Sequence, residues 1–169
     1  DEQAYADMVE RSLMTMGDTT RMLNVLKKAQ NGEEITIGYI GGSITEGLTA
    51  GAELCWAKLT YNWLCEKFPE TKINYVNAGL SGTPSTLGVM RAERDLYSDY
   101  TPDIVFIEFA VNDGQTATDK TSYESLVKKI LSKENNPAVV LFFTVIESGY
   151  TCEKHMSEIG NYYHLPMIS

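Results

Sequence analysis

The feature that most constrains the fold of this chain is the regular alternation of short apolar runs with segments of helical periodicity. Each run is apolar at consecutive positions, which is typical of strands that are buried on both faces of a parallel sheet. Each segment between them repeats its apolar residues at spacings of three and four, as helices packed on such a sheet do. The runs cover residues 35–40, 73–76, 104–109, 138–143 and 165–168. Because crossovers between parallel strands are right-handed, we predict a three-layer α/β/α sandwich with a five-stranded parallel sheet in the flavodoxin-like order.

The length of the chain and its lack of linkers or repeats predict one domain over residues 1–169. Residues 35–169 form the predicted α/β core. Ahead of it, residues 4–31 are predicted to be helical because their apolar positions share one face, with Asp18 able to cap a helix start and Asn31-Gly32 to end it.

The charge balance restricts the class of partner. The chain has 14 basic and 23 acidic residues and a net charge of −9. Nucleic acids and anionic membranes both attract clustered Lys and Arg, so we expect neither as a partner. The three cysteines form no C-x-x-C pair and there are only two histidines. This composition offers no zinc constellation, and we expect neither a metal nor a cofactor.

Three loops rich in glycine and polar residues follow the first three predicted strands. We call them the first loop (residues 41–47), the second loop (residues 77–83) and the third loop (residues 111–114). The carboxyl ends of parallel strands lie at the same edge of a sheet, where such folds bind their ligands. The three loops are therefore predicted to meet at one crevice.

The first loop has two functional interpretations. Glycines between a strand and a helix can cradle a phosphate, but there is no G-x-G-x-x-G, and Leu48 stands where a P-loop needs lysine. A serine on a sharp strand-to-helix turn is instead a candidate nucleophile. Ser43 is this serine, and its N–H, a glycine N–H of the second loop and the Asn112 amide are candidate donors to an oxyanion.

These motifs resemble the SGNH or GDSL-type hydrolases. Gly41-Gly42-Ser43-Ile44-Thr45 is similar to the first block of that family, the second loop to its glycine-containing second block, and Ala110-Val111-Asn112-Asp113 to its third. The resemblance implies a carboxylic ester hydrolase that works through a serine acyl-enzyme without a cofactor. It assigns the nucleophile to Ser43 and the oxyanion hole to Ser43, Gly82 and Asn112, with Gly79 as the less favoured glycine.

The resemblance also suggests a class of substrate, and this chain departs from the family's motifs at two positions. The variants G-G-S-I-T and E-F-A-V-N-D resemble a bacterial branch linked to the removal of small acyl groups, such as acetyl, from carbohydrate. Gly42 stands where the family has Asp and Ala110 where it has Gly, and both replacements are small residues.

The fourth block of the family, Asp-x-x-His, has no counterpart among these 169 residues. His155 lies on an apolar helical stripe and His164 precedes the fifth strand, so we predict that neither is the base and that this chain holds no catalytic His or Asp. The chain by itself is then expected to be inactive or weakly active, because an unassisted serine is a poor nucleophile. The alternative is a non-catalytic acyl- or sugar-binding module on the same scaffold.

The same reasoning predicts that the C-terminal part of the fold is missing. An uncovered apolar strip of the sheet would then favour self-association.

Several charged residues have simpler interpretations. Glu108, near the end of an apolar strand, either steadies the loops or reaches water at the strand end. Asp113 is expected to form a turn. Arg91, Arg94 and Asp95 are expected to form a solvated helix face with local ion pairs.

Overall fold

Six strands form one open sheet in the computed structural model of the chain, which describes all 169 residues. They are β1 (Leu13–Thr15), β2 (Ile35–Gly41), β3 (Ile73–Gly79), β4 (Ile104–Glu108), β5 (Ala138–Phe142) and β6 (Met167–Ile168). The order across the sheet is β1-β6-β5-β4-β2-β3. Strands β2 to β6 pair in parallel, and β1 pairs antiparallel with β6. The five parallel strands are the five predicted ones in the flavodoxin-like order, so the predicted fold class is confirmed.

Seven helices accompany the strands. They are α1 (Glu2–Ser12), α2 (Thr20–Gln30), α3 (Ser43–Glu46), α4 (Trp56–Lys67), α5 (Ser85–Tyr97), α6 (Ala117–Leu131) and α7 (Glu153–Tyr162). None of them is both long and apolar enough to cross a membrane.

Two separate hydrophobic clusters show that the sheet is covered on both faces. Ile40 belongs to a cluster with buried residues of α5, α6 and α7, whereas its neighbour Tyr39 belongs to a cluster with residues of α2 and α4. Successive side chains of a strand point to opposite faces, so the two clusters are the two interfaces of a three-layer sandwich.

The N-terminal segment differs from the continuous helical region predicted for residues 4–31. A short strand, β1, separates α1 from α2. Gly17 follows β1 with φ of +54°, and a Cβ there would come within 2.5 Å of the Leu165 carbonyl carbon. The Asp18 N–H donates to the His164 carbonyl at 2.6 Å, and its carboxylate accepts from the Thr20 N–H at 2.9 Å. Thr19 rather than Asp18 is the N-cap of α2, and Asp18, one residue ahead of it, accepts from the Thr20 N–H. The strand β1 was not predicted because three residues are too few to show a periodicity.

Candidate active site

The first and second loops are joined on both sides of Ser43. Ser43 is half-buried and is the first residue of α3, directly after β2. On the strand side, the Leu80 N–H donates to the Gly41 carbonyl at 3.0 Å. On the helix side, the Glu46 carboxylate accepts from the Ser81 N–H at 2.9 Å and also from the Ser81 hydroxyl. The serine is thus held on a turn that lies alongside the second loop, as the sequence predicted.

The third loop reaches the first through Asn112. A turn after β4, in which the Asn112 N–H donates to the Phe109 carbonyl at 3.0 Å, carries this residue to the crevice. A Cβ at Gly42 would lie 2.5 Å from the Cγ and Nδ2 of Asn112 and closer still to Oδ1. The Asn112 amide is therefore packed against the residue that precedes Ser43, where only glycine leaves room for it.

The hydrogen bonds of the second loop distinguish its two glycines. The Gly79 N–H donates to Asn77 Oδ1 at 2.8 Å, and the N–H groups of Leu80, Ser81 and Thr83 donate to other acceptors. Gly82, exposed and with φ of +69°, donates to no acceptor in the chain. Between residues 79 and 83, only the Gly82 amide remains free to bind a ligand.

Glu108 lies beneath the loops, fully buried at the end of β4. Its carboxylate accepts from the Thr45 hydroxyl at 3.0 Å and from the Thr144 hydroxyl at 2.8 Å. Burial raises the pKa of Glu108, and the two hydroxyls oppose this shift. Of the two interpretations left open by the sequence, the structure supports the first, because the carboxylate joins the first loop to the segment that follows β5.

The prediction that Arg91 lies on a solvated helix face is wrong, because the residue is buried. It is 8% exposed, and its guanidinium donates to the Ala78 carbonyl at 2.6 Å and the Gly41 carbonyl at 3.0 Å. Its ion pair with Asp95 at 2.9 Å and the exposed Arg94–Asp95 pair are present as predicted. Arg91 thus braces the strand ends from which the first two loops emerge, a role that sequence analysis missed because both acceptors are backbone carbonyls.

Asp113 is also more than a turn former. It is 3% exposed, and its Oδ1 accepts from the Ser85 N–H at 2.6 Å, at the start of α5. Burial raises the pKa of Asp113, and the hydrogen bonds from Ser85 oppose the shift. The Asp113 carbonyl accepts from the Tyr150 hydroxyl at 2.5 Å and the Cys152 thiol at 3.0 Å. The start of α5 therefore binds the side chain of Asp113, and the segment before α7 binds its backbone carbonyl.

Neither histidine is hydrogen-bonded to Ser43. His155 is in the first turn of α7, and its Nδ1 is buried. It lines a small cavity together with Asp113 and Gly114 of the third loop. His164 is exposed, with φ of +52°, ahead of β6 and so at the opposite edge of the sheet from the three loops. No group of three or more His, Cys, Asp and Glu side chains is arranged to hold a metal ion.

A cavity of about 200 Å³ opens beside Ser43. Its walls come from the first loop, the segment that follows it and the start of α4, and they are mainly apolar. They consist of Ser43, Ile44, Gly47, Leu48, Thr49, Ala50, Cys55 and Trp56. The cavity can receive a small apolar group next to the serine hydroxyl.

This chain is similar to a known protein family and to several solved structures. The sequence model of the GDSL-like Lipase/Acylhydrolase family matches residues 39–163. A two-domain esterase (CEX) active on acetylated mannans is 39% identical, with a TM-score of 0.91 over 95% of this chain and 44% of that chain, and the same values hold for its crystals with mannopentaose. This chain therefore spans less than half the length of those structures. No curated protein matches the chain.

More distant structures share the fold. AlinE4, an SGNH-hydrolase family esterase, is 18% identical with a TM-score of 0.65, over 80% of this chain and 76% of that chain. The psychrotrophic esterase EstA from Pseudoalteromonas sp., in a structure inhibited by monoethylphosphonate, is 23% identical with a TM-score of 0.61, over 79% of this chain and 75% of that chain.

Proposed function

Because this chain belongs to the GDSL-like lipase/acylhydrolase family, we propose that it carries the nucleophile and the oxyanion hole of a carboxylic ester hydrolase. The observation that carries the proposal is the packing of the Asn112 amide against Gly42, next to Ser43. It brings a serine on a strand-to-helix turn together with a side-chain donor from a different loop.

In the proposed reaction, Ser43 Oγ attacks the ester carbonyl carbon and passes its proton to a base. The tetrahedral intermediate collapses by breaking the bond to the alcohol, which leaves with a proton, and the acyl group stays on Ser43. Water then attacks the acyl-enzyme and releases the carboxylic acid. We place the acid and base in sequence beyond residue 169, because neither histidine of this chain lines the cavity beside Ser43.

The negative oxygen of each intermediate would be bound by three donors. The Ser43 N–H has no partner within α3, because the first N–H groups of a helix never do. The Gly82 N–H is the unused amide of the second loop, and Asn112 Nδ2 approaches from the third. Such preorganised donors each contribute about 10²–10³ in turnover. Without its base, a serine hydrolase keeps only about 10³–10⁴ of its rate enhancement, so we expect this chain alone to be weakly active.

We further propose that the substrate is a carbohydrate ester with a small acyl group such as acetyl. The cavity of about 200 Å³ beside Ser43 fits such a group. A net charge of −9 favours a neutral substrate over an anionic one. The CEX esterase, 39% identical, is active on acetylated mannans.

The alternative function is a binding module that holds the same ester without cleaving it. The observation in its favour is that neither histidine lines the cavity beside Ser43. Such a module would bind an acetylated oligosaccharide and release it unchanged.

Fluorophosphonate labelling and hydrolysis of an aryl acetate separate the two functions. The protein would be tested with the sequence that follows residue 169 in its gene. We expect Ser43→Ala to abolish both labelling and turnover, and Ser148→Ala, an exposed serine after β5, to change neither. Unchanged turnover in Ser43→Ala would exclude the assignment, and ligand binding without label or turnover would support the binding module.

A further inference from the structure

Three residues that line one small cavity behind the third loop each have a buried polar atom without a hydrogen-bond partner in the protein. The atoms are Asp113 Oδ2, Tyr123 Oη and His155 Nδ1. Asp113 and Tyr123 are 3% and 1% exposed, and all three residues line the same cavity of about 10 Å³. A buried polar atom with no partner costs about 1–3 kcal/mol, so three around one cavity call for a common partner.

The other polar groups at this cavity already have partners. Lys120 pairs with Glu158, and Asp119 accepts from the Thr116 hydroxyl at 2.6 Å. The Cys152 thiol donates to the Asp113 carbonyl. Among the residues that line the cavity, the unmet hydrogen-bonding capacity belongs to a carboxylate on the third loop, a phenol on α6 and an imidazole on α7. Ser85 Oγ, which is also buried without a partner, lies near Asp113 but outside this lining.

We propose that this cavity binds a single ordered water molecule that joins the third loop to α6 and α7. A cavity of this size holds about one water, and a buried water needs two to four polar partners. The water would donate to Asp113 Oδ2 and to His155 Nδ1, in the tautomer with its proton on Nε2, and would accept from the Tyr123 hydroxyl. This arrangement uses each group in the role that its chemistry allows.

The water site would hold Asp113 through Oδ2, the carboxylate oxygen that does not accept from the Ser85 N–H. Asp113 follows Asn112 directly, so the site would fix the stem of the loop that presents the Asn112 amide. This consequence for Asn112 rests on the proposed function, whereas the water site itself does not.

A crystal structure of the 169-residue chain at a resolution that shows ordered water tests the proposal directly. We expect one spherical density peak at about 2.6–3.2 Å from all three atoms. A cavity without density, or a direct hydrogen bond between Asp113 and Tyr123 that closes it, would overturn the proposal. Neither outcome depends on ester hydrolysis, so the site can fail while the proposed function stands, and the reverse.

A pair of Tyr→Phe variants provides a second test in solution. Tyr123→Phe removes one partner of the water, and we expect a lower urea midpoint of unfolding and a weakened or absent density peak. Tyr39→Phe is the matched control, because the Tyr39 hydroxyl is equally buried without a partner but its ring lies among Trp56, Tyr75 and Phe106. We expect its midpoint to be unchanged or raised. Equal shifts in the two variants would contradict a water bound at Tyr123.

Discussion

The side chain of Asn112 fills the space in which any residue other than glycine at position 42 would place its β-carbon. A Cβ at Gly42 would overlap the Oδ1, Cγ and Nδ2 atoms of Asn112, so steric contact with the Asn112 amide restricts this position to glycine. The first and third loops therefore determine each other, and the position of Asn112 next to Ser43 depends on the absence of one methyl group.

Gly42→Ala should displace the Asn112 amide and remove one donor from the proposed oxyanion hole. We expect turnover of an aryl acetate to fall by about 10²–10³, the usual effect of losing one such donor. The measurement is kcat in the protein that includes the sequence beyond residue 169. A crystal structure of the variant should show Asn112 moved away from residue 42.

The control for this effect is a double-mutant cycle with Asn112→Ala. If Gly42→Ala acts through Asn112, it should cost little further activity once the amide is absent. Additive losses in the double variant would mean that residue 42 acts on catalysis by another route.

Arg91→Met should destabilise the fold far more than Arg94→Met. Loss of Arg91 leaves the carbonyls of Gly41 and Ala78 without their charged donor, and hydrogen bonds to charged groups contribute about 1.5–3 kcal/mol each. Arg94 is 75% exposed and pairs only with Asp95, an interaction of about 0–1 kcal/mol. Urea unfolding of the two variants measures the difference, and similar midpoints would show that Arg91 does not brace the strand ends.

The sequence was sufficient for the parallel sheet because burial on both faces leaves a continuous apolar run in each strand. It was also sufficient for the meeting of the three loops, which follows from parallel topology alone. The start of α6 is likewise encoded locally, because Thr116 is its N-cap and Asp119 closes the capping box three residues later.

Other contacts could not be predicted because their partners are distant in sequence and carry no chemical signature. The guanidinium of Arg91 binds a carbonyl 50 residues away, and any residue could provide that carbonyl. Likewise, Asp113 lies in a tight turn, which is an ordinary place for aspartate. Its burial depends on the packing of α5 and α6, which only the folded chain reveals.

Because helices cover both faces of the sheet, the uncovered strip expected from the sequence is not present. The exposed apolar residues of α1 and β1 should cause the chain to self-associate instead. No residue of α1 is buried, and Met8, Val9 and Met14 are 40–53% exposed. Light scattering at increasing concentration should show a rising mean mass. The double variant Met8→Glu with Val9→Glu should lower that mass without loss of stability, whereas Met90→Glu, at an exposed position in α5, should not. A monomer at every concentration would contradict the prediction.

The buried carboxyl of Glu108 should make folding stability decrease as pH rises. Burial raises its pKa in the folded protein above the ordinary value of 4.5, so the unfolded chain loses this proton at a lower pH than the folded chain. The free energy of unfolding then falls by at most about 1.4 kcal/mol per pH unit, from pH 4.5 up to the raised pKa of the folded state. Below pH 4.5 the group is protonated in both states and contributes no pH dependence.

Comparison with Glu108→Gln isolates this effect. Glutamine has the shape of the protonated acid and does not titrate, so the stability of the wild type relative to this variant should decline across the same pH range. Burial also raises the pKa of Asp113, but this residue is present in both proteins and its contribution cancels from the difference. Thr144→Val, which removes one hydrogen bond to the carboxylate, should extend the decline to higher pH. Parallel curves for the wild type and Glu108→Gln, measured by urea unfolding between pH 4 and pH 9, would show that Glu108 ionises as freely in the folded chain as in the unfolded one.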